Sequence, residues 1–386
     1  MAVLVGPVVT SGPTVMSRGA RTRWRDLPFA RAMGAYLAVR LVILGIVALA
    51  DLATHHGLVG DLSTWDGAWF LRAVDHGWPR HLPIVDGHVA ANPIAFFPLL
   101  VVVIRVLDAV TGLSGGVVGL AVSGLSGLGA VLGVGYLTRA FSDAPRAERA
   151  ALLFALSPGS FVFSLIYAEG LLLSAVTWGL WALLRRRWWL AGVLGALASA
   201  ASPLGLAFVV AAGVAALAEW RRARDPRALV APVLAPAGFV AWMVFLRVHT
   251  GTWNAWRLTE AGGWRSSFSP LYPWRIVWRF VSNPLSPTMT GQILFAGTVV
   301  TVVALVIAFR ERQPAVVLSY ASAVVFLAAF AAPVGLRPRM IMVAFPLTIA
   351  LATRWSGWRF RVLVVVSTVA LALMAIETLT SWAVFP

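Results

Sequence analysis

The sequence has no cysteine and no lysine. The first absence excludes disulfides, thiolate metal sites and a cysteine nucleophile. The second makes all 31 basic residues arginine, set against only 15 acidic ones. Charge of either sign is scarce: charged residues are 12% of the 386 and hydrophobic residues 60%, which is far too apolar for a soluble domain of ordinary composition. A formal charge of +16 would in a soluble chain suggest a polyanionic partner such as nucleic acid. Here the arginines punctuate apolar runs, a placement that reads as topology and lipid-headgroup contact instead. The sequence also lacks a GxGxxG, a Walker loop, an HExxH and a serine nucleophile elbow, so soluble nucleotide chemistry has no support. No internal repeat of the kind found in inverted-repeat transporters is evident.

What is present is a succession of apolar runs. A bilayer core takes roughly 20 apolar residues per helix, and the runs predict an all-α, polytopic transmembrane bundle of about eleven spans. They fall at about 31–53, 116–138, 149–166, 170–184, 188–201, 204–219, 229–246, 290–309, 314–332, 340–353 and 361–382. Residues 1–30, with Arg18, Arg21, Arg23 and Arg25, read as a basic cytoplasmic tail, because an apolar start followed by charge is the reverse of a signal peptide. Residues 31–386 read as one transmembrane domain. The positive-inside rule puts Arg139–Arg149, Arg185–Arg187, Arg221–Arg227, Arg310–Arg312 and Arg354–Arg361 on the cytoplasmic side. The parity holds if 93–107, short for a span, is a juxtamembrane or half-inserted helix. The large loops 54–92 and 247–289 and the turn Pro333–Arg339 then share the extracytoplasmic face of the inner (plasma) membrane.

Candidate chemistry gathers on that face. Asp66, in Trp65-Asp66-Gly67-Ala68-Trp69, sits at the start of a predicted interfacial helix. It reads either as an N-cap or as a general base beside a membrane cavity. Glu169 lies near the outer ends of two spans, where an ionisable group is a functional candidate or a carboxylate favoured by the helix dipole. Arg337 and Arg339 depart from the inside preference and present planar forks suited to phosphate, or anchor headgroups. Trp264-Arg265 is a weaker candidate of the same kind, and Arg247, His249, Arg257 and Arg275 read as interfacial. Arg40 is expected to snorkel to the inner interface. The spacing of His55, His56, His76, His81 and His88 matches no ligand pair and supports no divalent metal; no cofactor is expected.

Trp65-Asp66-Gly67-Ala68-Trp69, His76-Gly77-Trp78, Phe96-Phe97-Pro98-Leu99, Ser157-Pro158, Tyr167-Ala168-Glu169, Arg337-Pro338-Arg339 and Phe345-Pro346 occur in an order that resembles the PIG-V type mannosyltransferases, glycosyltransferases of the GT-C fold. Trp78 and Ala168 depart from the residues usual there, and an arginine common in the family is missing near Ser202-Pro203. The resemblance implies inverting transfer of a mannosyl (hexosyl) unit from a polyprenyl-phosphate sugar donor, on the extracytoplasmic face. Asp66 matches the family's catalytic acidic residue and Glu169 its second acidic position. Arg337, Arg339 and Arg265 are the donor-phosphate candidates, and Trp65, Trp69, His76, Tyr167 and Trp264 the substrate-binding ones. An arginine-only basic set with an Ala/Gly/Val bias suggests a bacterial envelope, hence a glycolipid or lipoglycan acceptor. Two other readings are a lipid or sugar transporter or flippase, disfavoured by the few charges at span midplanes (Arg40, with Arg105 or Glu377), and a noncatalytic partner of an envelope-assembly complex.

Overall fold

A computed structural model describes residues 27–54, 57–284 and 288–380. Most of the basic tail, His55, His56 and the last six residues lie outside them. A chain solvated by lipid must satisfy its backbone polar groups internally, which favours helices, and the described residues are almost wholly helical. The strands among them are two short antiparallel pairings, Ile84–Val85 with His88–Val89 and Ser267–Phe268 with Ala331–Ala332.

Five helices are long and apolar enough to cross a membrane: Ala30–Leu52, Gly115–Arg139, Pro203–Ala223, Met289–Arg310 and Gly357–Leu379. Counting each of two bent pairs as one span brings the number to seven, below the eleven predicted. Two of the predicted runs, 188–201 and 314–332, are continuous but short helices, Trp188–Ala201 and Ala315–Ala329, and two others are broken at proline. The run 149–166 is not one helix: Ala144–Ala155 ends, and a 3-10 segment, Pro158–Ser164, leads through a 115° bend into the helix Glu169–Leu184. Pro158 cannot donate to the helical ladder and drives Ser157 to extended backbone (ψ 146°). Pro346 likewise divides 340–353 into Pro338–Val343 and Pro346–Arg354. Hydropathy alone does not register these breaks. The segment 93–107 is a turn at Pro93–Ala95 followed by the 14-residue helix Pro98–Thr111, about 21 Å long and shorter than a bilayer core.

The core is built on close packing of Gly115–Arg139 against Glu169–Leu184. Small residues permit such approach between membrane helices; a Cβ at Gly133 would collide with Thr177, and one at Gly127 with Tyr36 and Phe163. Arg40 does not snorkel. It is buried, donates to the Ser160 carbonyl, and lies 5.0 Å from the Tyr36 ring centre. The proline break leaves carbonyls of the 3-10 segment without helical donors, and a buried guanidinium satisfies one of them. The other side of that segment packs on Pro338–Val343, where a Cβ on Gly159 would come within 2.9 Å of the Arg339 Cα. The bend thus sets Glu169 and Arg339 beside one another.

Candidate active site

Asp66 opens the helix Asp66–His76 but does not cap it. The cap position is Trp65, whose φ of 59° lies in the left-handed region, a conformation costing a bulky residue about 1 kcal/mol or more. Its indole donates to the Thr378 carbonyl at 3.3 Å. The Asp66 side chain instead accepts from the Arg339 guanidinium at 2.6 Å. The N-cap reading of Asp66 is thus not what the structure has.

Arg339 is shared. The same nitrogen is 3.7 Å from Glu169, and its guanidinium carbon lies 5.7 Å from the centre of the Tyr167 ring. The Tyr167 hydroxyl accepts from the Asp66 backbone N–H at 3.4 Å, while both main-chain polar groups of Tyr167 bond the Ser123 hydroxyl, at 3.0 and 3.1 Å. Side chains remote in sequence therefore converge: one cation holds two carboxylates over a buried tyrosine. These side chains are 14–28% exposed, enough shielding to strengthen each interaction well beyond its value in water.

Arg337 is buried at the residue before the helix Pro338–Val343. Burial lowers its pKa first and the nearby Arg339 guanidinium lowers it further, opposed by Tyr272 and Asp66. Two cations that repel one another across a partly buried site favour an anion between them. Trp264 packs on Trp69 and on Phe96, each at 5.5 Å between ring centres. Arg265 is exposed on the turn that follows. His76 ends the helix that Asp66 begins, about 15 Å away along its axis, so the structure separates it from the ion pairs. Among the described residues no group of three or more His, Asp or Glu side chains is placed to hold a metal.

Glu260 is the residue missed in the sequence. It lies in the helix Ala255–Gly263 and is the one acidic residue of the segment 247–289, a signal that could have drawn attention to it. Burial pushes its carboxyl up to about 7; the Asp66 charge adds to the rise, while a hydrogen bond to Ser266 and the Arg339 charge oppose it. The charges of Asp66 and Arg339 therefore reach it. Its segment packs on 54–92 through Trp264 and Trp69, and pairs with Ala331–Ala332 through Ser267–Phe268.

Residues 41–220 match the family described as Mannosyltransferase (PIG-V), which bears out the resemblance carried by the motifs. The match takes in Asp66, Tyr167 and Glu169 and stops short of Glu260 and Arg339. No curated protein matches the sequence. Among solved structures, the chain is similar to the Archaeoglobus fulgidus oligosaccharyltransferase in complex with Zn and sulfate, at 18% identity over 76% of this chain and 45% of that one, with a TM-score of 0.45. The same enzyme tethered to an acceptor peptide containing the NVT sequon gives 15% identity over 90% and 56%, with a TM-score of 0.45. Its apo form gives 16% over 90% and 56%, with a TM-score of 0.44. The chain spans about half the length of these structures.

Proposed function

We propose that the protein transfers a mannosyl unit, with inversion, from a polyprenyl-phosphate mannose to a glycolipid or lipoglycan acceptor on the extracytoplasmic face of the membrane. The observation that carries this reading is the Arg339 guanidinium held between Asp66 and Glu169. In the reaction an acceptor hydroxyl attacks the anomeric carbon, the bond from that carbon to the phosphate oxygen breaks with its electron pair going to phosphate, and Asp66 takes the hydroxyl proton. Arg339 and Arg337 stabilise the departing phosphate charge, with Arg265 a peripheral cation at the entrance. A donor phosphate competes with Asp66 for Arg339. Donor binding would therefore loosen the ion pair and release the base when it is needed. Glu169 keeps Arg339 oriented during that exchange. Trp65, Trp69, Trp264 and Tyr167 supply aromatic surface for the substrates, with His76 outside this group.

In this reading the fold is of the GT-C kind, the basic clusters face the cytoplasm, and short or broken helices such as Trp188–Ala201 and Ala315–Ala329 complete the crossings. No nucleotide donor, metal or other cofactor takes part. The direct test is transfer from radiolabelled polyprenyl-phosphate mannose by membranes carrying Asp66→Asn. Loss of a general base costs roughly 10²- to 10⁴-fold. Undiminished transfer by this variant removes Asp66 from the role.

A further inference from the structure

The segment 261–310 contains no aspartate or glutamate, and within it the helix Tyr272–Ser282 turns large side chains outward. Leu271, just before the helix, is followed by Trp274, Trp278 and Val281 at steps of three, four and three, and all four are 58–72% exposed. On a helix that spacing makes a single apolar stripe. Arg275 and Arg279, four apart and also exposed, run as a second row along its flank. Among the described residues neither arginine pairs with a carboxylate.

The opposite face fixes where the helix lies. Ile276 is buried, and the Phe280 ring stacks on Phe295 at 3.8 Å between centres. Phe295 belongs to the apolar span Met289–Arg310, about 9 Å from its start, so the helix rests against the end of a span and not its middle. The Tyr272 hydroxyl donates to the Pro333 carbonyl at 2.8 Å, and a Cβ on Gly335 would come within 3.1 Å of the Tyr272 ring. The span end concerned is therefore the one beside Arg337 and Arg339.

We propose that this outward face docks anionic phospholipid of the adjoining leaflet, with the Leu271–Val281 stripe at the acyl boundary and Arg275 and Arg279 on lipid phosphates. Tryptophan suits that depth because its ring is apolar and its N–H is polar. A row of guanidinium groups with no acid nearby complements anionic headgroups. A second copy meeting this face across a two-fold axis would set arginine against arginine. The surface is separate from the Asp66–Arg339 pair and requires no particular reaction there.

Because the chain has no cysteine, Ser282→Cys gives a single labelling site at the end of the helix, beside the face and outside its six proposed contact residues. The full chain with a fluorophore there is placed in nanodiscs holding one or two chains. Acyl-brominated phosphatidylglycerol or phosphatidylcholine serves as quencher at the same low mole fraction. Both lipids are expected to quench, phosphatidylglycerol the more strongly. That preference should fall about fivefold with Arg275→Gln and about fivefold again with Arg279→Gln added, and should survive Arg275→Lys with Arg279→Lys, which keeps the charge. Equal quenching by the two lipids, or a preference that outlasts both Gln substitutions, overturns the proposal. So does a label that neither lipid quenches, since the face then lies in water or against protein. Quenching with one chain per disc that disappears with two marks a second copy as the occupant, and a preference abolished by equimolar polyprenyl phosphate assigns the face to that lipid instead; either result overturns the proposal.

Discussion

The helix Glu169–Leu184 carries a charge cluster at each end, and the two clusters are inverses of one another. At its start one cation, Arg339, is shared by Asp66 and Glu169. Just past its other end, about 24 Å away, one carboxylate is shared by two cations: Glu219 lies 3.3 Å from Arg186 and accepts from Arg222 at 2.8 Å. In the second cluster Glu219 is 8% exposed but its arginines are 52% and 56% exposed. Water screens what those exposed arginines contribute to stability. In the first cluster every partner is shielded and the carboxylates outnumber the cation. The same few residue types thus form a water-screened cluster at one end and a shielded one at the other. What separates them is solvent access and the sign of the excess charge.

The comparison is broken most decisively at Arg339. Arg339→Gln leaves two shielded carboxylates without their shared cation. Removing one partner of a buried pair costs about 3 kcal/mol or more, and mannosyl transfer should fall with the donor-phosphate contact. Thermal unfolding in detergent and the transfer assay check both. Adding Asp66→Asn and Glu169→Gln to that variant should recover much of the stability and none of the activity. Recovery of both would mean that the cluster is structural only.

A smaller effect is expected one layer away. Gly159→Ala places a methyl group against the Pro338 carbonyl and the Arg339 Cα, at 2.5 and 2.9 Å in the unrelaxed structure. The helix Pro338–Val343 must then shift, and a catalytic group displaced by about 1 Å can cost up to roughly 10²-fold. The turnover number should fall while the Asp66–Glu169 side of the site keeps its fold. A turnover unchanged by Gly159→Ala would show that Arg339 can move without consequence. The least effect belongs to the far cluster: Arg222→Gln leaves Glu219 with Arg186 and should leave transfer unchanged. A loss there comparable to that of Arg339→Gln would erase the distinction between the two ends.

Asp66, Glu169 and Arg339 were visible in the sequence because a polar side chain flanking an apolar run stands out against its neighbours. Their mutual pairing was not, since no local property of residue 66 points to residue 339. Glu260 escaped for a related reason. It follows Thr259 in an ordinary amphipathic stretch, and its character comes from burial and from charges supplied by other segments. Arg40 was misjudged because snorkelling assumes water as the available partner, whereas the break at Pro158 offers it a carbonyl inside the fold.

Composition and the lengths of the apolar runs determined by themselves that this is a helical membrane protein, because an apolar chain in lipid has few other ways to satisfy its backbone. Tertiary structure alone decided which arginines are buried and which carboxylates meet. Those outcomes depend on contacts between residues as far apart as Asp66 and Arg339. Their energies arise from burial and charge proximity that exist only once the helices have packed.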